Sequence, residues 1–97
     1  MDGAPEKYIK LHSQVVLECI IENIVEKPNF IFWYHDKTRI MDSVSNYKID
    51  RIDNTGETRG RLSISKAVQQ NSGNYTCIPT NLQGRSIELH ILNGKIS

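Results

Sequence analysis

Asn71-Ser72-Gly73-Asn74-Tyr75-Thr76-Cys77 is the stretch on which the fold turns. It ends on a cysteine, with a tyrosine two places before it. Two other runs belong with it. One is Val15-Val16-Leu17-Glu18-Cys19-Ile20-Ile21, and the other is Phe30-Ile31-Phe32-Trp33-Tyr34, whose tryptophan lies 14 residues after Cys19. The last two runs are rich in β-branched and aromatic residues and each reads as a strand, and residues 73–80, which take in the end of the first stretch, read as another. Side chains alternate along a strand. With Cys19 inward, Val15, Leu17 and Ile21 also face inward and Glu18 faces water. In the second run Ile31 and Trp33 go in, while Phe30, Phe32 and Tyr34 go out.

Outward from these runs, strand signals alternate with turn signals along the whole chain, which predicts an all-β fold. Residues 8–11 read as an opening edge strand, with Pro5 just before it, where a missing donor does no harm. Residues 22–29 are a polar loop, 36–38 a turn, 39–41 a short strand and 42–46 a loop. Residues 47–52 and 59–65 form a hairpin about Asp53-Asn54-Thr55-Gly56, a turn composition. In its second arm Leu62 and Ile64 share one face. Residues 66–72 make a corner with room for a helical turn. Strand 73–80 then leads through a hairpin at 81–84 to a last strand, in which Ile87, Leu89 and Ile91 alternate with Glu88 and His90.

The cysteine, tryptophan and second cysteine, with Tyr75 before the last, resemble the pattern of the immunoglobulin superfamily. The resemblance implies a sandwich of two antiparallel sheets of the intermediate set. One sheet holds strands A, B, E and D, and the other holds G, F and C. It implies a disulfide between Cys19 and Cys77 with Trp33 against the bond, and a core built on Trp33, Leu62, Ile64 and Tyr75. It also turns the Tyr75 hydroxyl back to the corner backbone. The residues alone leave two free buried thiols as another reading. A zinc site lacks the paired spacing that closes a tetrahedron. Asn71 departs from the superfamily, which usually has aspartate there, paired with a base such as Arg51 or Lys48. With asparagine no salt bridge is expected.

At 97 residues the chain has the size of one such domain. Residues 5–93 are assigned to it, residues 1–4 to an artificial remnant or linker, and residues 94–97 to the start of a linker. The net charge is +1, with acids and bases interspersed, which gives no reason to expect nucleic acid. No apolar run is long enough to span a bilayer, and the start lacks the pattern of a signal peptide. A disulfide implies an oxidising compartment. The expectation is therefore an excised, extracellular piece of a secreted or cell-surface protein, held to a membrane only by an anchor outside this chain.

Nothing in the sequence reads as catalytic, and no cofactor or metal is expected. His12, His35 and His90 lie in separate strands or turns with no nucleophile motif beside them. Asp50, Asp53, Asn54 and Glu57 cluster about a turn, yet their spacing is not that of a calcium-binding loop. Arg51, Arg59 and Arg61 form a strip that reads as a charged, aggregation-resistant surface, with an anionic contact as the alternative.

A narrower resemblance covers Tyr8-Ile9-Lys10, Phe30-Ile31-Phe32-Trp33-Tyr34-His35 and His90-Ile91-Leu92-Asn93-Gly94. These segments resemble the second immunoglobulin domain of the insect "defective proboscis extension response" proteins and of related nematode neuronal proteins with two such domains. The resemblance implies a membrane-proximal spacer of a synaptic recognition or adhesion protein. Its partners would be other cell-surface immunoglobulin-domain proteins, bound through an upstream domain. The alternative is a structural domain of an intracellular muscle or scaffold protein. Two surface features remain. Phe30, Phe32, Tyr34 and Ile78 form an outward cluster suited to a protein contact, and Asn74-Tyr75-Thr76 is an acceptor motif for N-linked sugar.

Overall fold

The computed structural model describes residues 5–22, 24–41 and 46–93. Among the described residues, eight strands and one turn of 3-10 helix follow one another: β1 (Glu6–Lys10), β2 (Val15–Glu22), β3 (Ile31–His35), β4 (Thr38–Arg39), β5 (Tyr47–Asn54), β6 (Glu57–Ile64), the 3-10 turn Gln69–Asn71, β7 (Gly73–Pro79) and β8 (Arg85–Leu92). They form two sheets, ordered β1-β8-β7-β3-β4 and β2-β6-β5. The all-β, two-sheet sandwich is the architecture that the immunoglobulin resemblance implies. The linker assignments at 1–4 and 94–97, and most of the loop at 42–46, lie outside the described residues.

The alternation along each strand builds the core. Val15, Leu17 and Cys19 of β2 face Trp33 of β3, Leu62 and Ile64 of β6, Tyr75 and Cys77 of β7, and Leu89 and Ile91 of β8, and all are buried. Ile9, Ile21 and Ile31 pack at its margin. Glu18, between two buried residues of β2, keeps its carboxylate on the outer face.

The opening strand corrects the expected sheet assignment. It does not join β2, β6 and β5. It runs parallel to β8, from Glu6 opposite Glu88 to Lys10 opposite Leu92. This pairing sets Ile9 beside Ile91 on the core side. On the outer side Tyr8 stacks on His90, with ring centroids 4.6 Å apart. The chain then crosses between sheets at His12, whose φ is 73°. His12 N–H donates to Ala67 O, and Ala67 N–H donates to Ser13 O. The short fourth strand attaches to β3 through Tyr34 and Arg39, which extends the same sheet.

The β5–β6 hairpin is longer than the sequence pattern suggested. Asn54 pairs with Glu57, so only Thr55 and Gly56 turn, with Gly56 at φ 72° where glycine is at ease. Thr58, fully buried in the second arm, donates its hydroxyl to Asp53 Oδ1 at 2.8 Å.

Candidate functional site

Cys19 and Cys77 are bonded across the two sheets, with Cα atoms 6.4 Å apart. Trp33 lies opposite Cys77 on the neighbouring strand and is 1% exposed. Gly60, opposite Cys19 on β6, leaves the space that Trp33 and Ile31 fill. Leu62, Ile64 and Tyr75 are completely buried.

The corner before β7 is a polar network in an apolar setting. Tyr75 donates its hydroxyl to Asn71 O at 2.6 Å. Tyr47 Oη lies 3.0 Å from Tyr75 Oη, and since the Tyr75 proton is committed, Tyr47 donates to it. Asn71 is buried; its Nδ2 donates to Tyr47 Oη and its Oδ1 accepts from Val68 N–H. His35 stacks on Tyr75 at 4.5 Å and donates Nε2–H to Ser72 O at 2.8 Å. Burial pushes the Tyr75 phenol far above its ordinary range, so it stays a donor. Arg51 does not come to this corner. Its guanidinium donates to Pro28 O and Asn29 O and pairs with Asp53, tying the β2–β3 loop to β5.

Arg59 and Arg61, the other arginines of the strip, are neutralised on the outer face of the smaller sheet. Arg59 pairs with Glu57, and Arg61 with Glu18 at 3.0 Å. The strip is thus a set of ion pairs with little free positive charge, a poor contact for an anionic polymer. Among the described residues no group of three or more His, Cys, Asp or Glu side chains is arranged to hold a metal.

The outer face of the larger sheet carries the surface candidates. Phe30 and Phe32 stack at 5.9 Å, and Phe32 lies opposite Ile78. Phe30 is 60% exposed and Ile78 37%; Phe32 and Tyr34 are half-buried. The sequence did not reveal Arg39, whose guanidinium carbon lies 4.3 Å over the Phe32 ring. The signal was the turn at Asp36 and Lys37, which returns the chain along β3 and sets Arg39 opposite Tyr34.

Asn74 is on this face, but it is less open than strand alternation implied. It is half-buried, and its Nδ2 donates to Glu88 Oε1 at 3.3 Å. Thr76 Oγ1 donates to Asn74 Oδ1 at 2.9 Å. Asn74 N–H donates to Asp36 Oδ1, and Asp36 N–H to Asn74 O.

A family model described as immunoglobulin domain matches residues 3–81. The chain belongs to the immunoglobulin domain family. It is 34% identical over 92 residues to Hemicentin-1 of Mus musculus, covering 90% of this chain, and 32% identical over 94 residues to Hemicentin-1 of Homo sapiens, covering 92%. It spans about 2% of the length of these relatives. Among solved structures, Dpr2 Ig1-Ig2 in complex with DIP-Theta superposes with a TM-score of 0.79 at 24% identity, covering 94% of this chain and 47% of that one. The N-terminal eight immunoglobulin domains of Down Syndrome Cell Adhesion Molecule give 0.79 at 20%, covering 96% and 12%. Titin A168169 gives 0.75 at 18%, covering 91% and 45%. At these identities the structural likeness establishes the immunoglobulin fold alone.

Proposed function

We propose that this immunoglobulin domain is an extracellular, non-enzymatic module of a neuronal cell-surface recognition or adhesion protein. In that protein it acts mainly as a membrane-proximal spacer. The observation that carries the extracellular reading is the Cys19–Cys77 bond, since such bonds persist where the surroundings are oxidising. The spacer role rests on the sequence resemblance to second domains of two-domain neuronal proteins. Partners would be other immunoglobulin-domain surface proteins, engaged by an upstream domain. Dpr2, one of the structural neighbours, is in complex with DIP-Theta.

On this reading the strip of Phe30, Phe32, Tyr34 and Ile78 is the part of the domain suited to a protein contact. Its apolar rings and the Arg39 cap match the composition of interface centres. Asn74 carries an N-linked sugar at the other end of the same face. Binding of a partner to this domain and to an upstream domain, each immobilised separately, tests the spacer role. Micromolar affinity from this domain alone overturns it. Thiol titration of the protein recovered from its native source tests the compartment. Two free thiols there would favour a structural domain of an intracellular muscle or scaffold protein.

A further inference from the structure

The free edge of β1 carries information that its role in the sheet does not use. β1 ends the sheet order, with β8 as its sole neighbour among the described strands. Two hydrogen bonds flank the ladder: Glu88 N–H donates to Pro5 O, and Leu11 N–H donates to Leu92 O, both at 2.8 Å. In a parallel ladder alternate residues turn both main-chain groups to the neighbour. These two bonds fix the parity, so Pro5, Lys7, Ile9 and Leu11 face β8. Glu6, Tyr8 and Lys10 hold their N–H and C=O groups outward, away from the sheet.

The same three residues place their side chains on the outer face, since Ile9 and Lys7 belong to the core side. Tyr8 is 58% exposed, and Glu6 and Lys10 are exposed. Lys10 has no carboxylate partner among the described residues. The segment is complementary to itself. If a second β1 is laid antiparallel with Tyr8 opposite Tyr8, Glu6 falls opposite Lys10 and Lys10 opposite Glu6. This register makes all three residues hydrogen-bonded pairs, using the main-chain groups that parity leaves free. Parallel in-register pairing would instead set Glu6 against Glu6 and Lys10 against Lys10. The charges that guard this edge against indiscriminate pairing therefore permit one partner in one register.

We propose that β1 is a homophilic docking edge: two copies of this chain pair antiparallel about Tyr8, joining their two five-stranded sheets through a two-fold axis. Cross-strand Glu6–Lys10 ion pairs and a Tyr8–Tyr8 contact, backed by the His90 ring, select the register. A ladder of five residues buries less than the roughly 1,200–2,000 Å² of stable complexes, so the dimer is weak and forms at high local concentration, as on a crowded surface. The pairing lies in the plane of the sheet. A sugar on Asn74, two strands away and directed off the face, does not obstruct it.

Sedimentation equilibrium of the whole chain, up to about 1 mM, tests the proposal. A monomer–dimer equilibrium is expected. Glu6→Lys and Lys10→Glu, each alone, set like charges at both ends of the ladder and weaken the dimer by roughly tenfold or more. Mixed in equal amounts, the two variants are complementary, and association returns. In parallel, the amide resonances of Glu6, Tyr8 and Lys10 in the unaltered protein are followed with concentration, which needs no variant to fold. Association that shifts these three amides, with rescue in the mixture, supports the edge. A monomer throughout, a dimer indifferent to both substitutions, a mixture no tighter than its components, or shifts confined to other strands overturns it.

Discussion

Gly60 and Ile31 approach so closely that a Cβ on Gly60 would lie 3.1 Å from Ile31 Cγ2 and 3.2 Å from its Cδ1. Gly60 also lies opposite Cys19, so the smallest residue faces the disulfide beside the largest, Trp33. Gly60→Ala must displace Ile31 inside a close-packed core. Overpacking of this kind costs about 1–3 kcal/mol, partly offset by the lower entropy of the unfolded chain. A net loss of about 1–2 kcal/mol in urea unfolding is expected. Adding Ile31→Val, which removes Cδ1, is expected to recover part of it. An unchanged midpoint would mean that the Ile31 side chain gives way freely.

Asn71 uses both ends of its amide: Oδ1 receives Val68 N–H, and Nδ2 donates to the Tyr47 hydroxyl. Asn71→Asp keeps the first bond, removes the donor and buries a charge, while Arg51 is engaged with Asp53 and the β2–β3 loop. A loss of about 1–3 kcal/mol at neutral pH is expected. The aspartate pKa would be raised on folding, so the penalty applies above that pKa and shrinks as pH falls through it. Equal stability of the two proteins at neutral pH would show that the corner accepts the usual aspartate.

Asp53 and Glu57 flank the β5–β6 turn, and both carboxyls are held below the usual carboxylate range. For Asp53 the main cause is the Thr58 hydroxyl, with Arg51 adding to it; for Glu57 it is the Arg59 guanidinium, then Asn54. A depressed folded pKa contributes stability that is present above the unfolded pKa and lost as pH falls through the folded one. Unfolding midpoints are therefore expected to be flat near neutrality and to decline below about pH 4. The double variant Asp53→Asn, Glu57→Gln is expected to show a shallower acid decline. An acid limb identical to that of the unaltered chain would assign it to other carboxylates.

Much of this fold was legible because period two and the spacing of Cys19, Trp33 and Cys77 constrain the same residues. The inward positions of β2 and the burial of Leu62 and Ile64 follow from alternation alone. The sheet chosen by β1 was not legible. A short strand with one apolar inward residue, Ile9, satisfies either edge, and the choice is made by the crossover bonds of His12 and Ser13 to Ala67. Thr58 was missed because a threonine between charged residues reads as surface; its burial depends on Asp53 lying within reach across the hairpin. On the outer face, alternation found the aromatic residues. It could not show Arg39 covering Phe32, because that contact depends on the returning turn.

The hydrogen bonds around Asn74 bear on when its sugar can be added. In the folded domain the Nδ2 is engaged with Glu88, Thr76 is engaged with Asn74 and Ser86, and the main chain is locked to Asp36. A transferase needs the amide free and the segment flexible, so attachment is expected before β7 closes against β3 and β8. Once attached, the glycan still leaves one N–H for Glu88. It projects from a position about 13 Å along the strand from Ile78, which leaves the Phe30, Phe32 and Ile78 end of the apolar strip uncovered. Secreted protein is therefore expected to carry sugar at Asn74 when made by a cell. Disulfide-bonded, refolded protein offered to the same transferase is expected to stay unmodified. Glycopeptide mapping of both, with Thr76→Ala as the unmodifiable control, distinguishes these outcomes. An unmodified Asn74 in the secreted protein would leave the whole outer face, from Asn74 to Phe30, open as a contact surface.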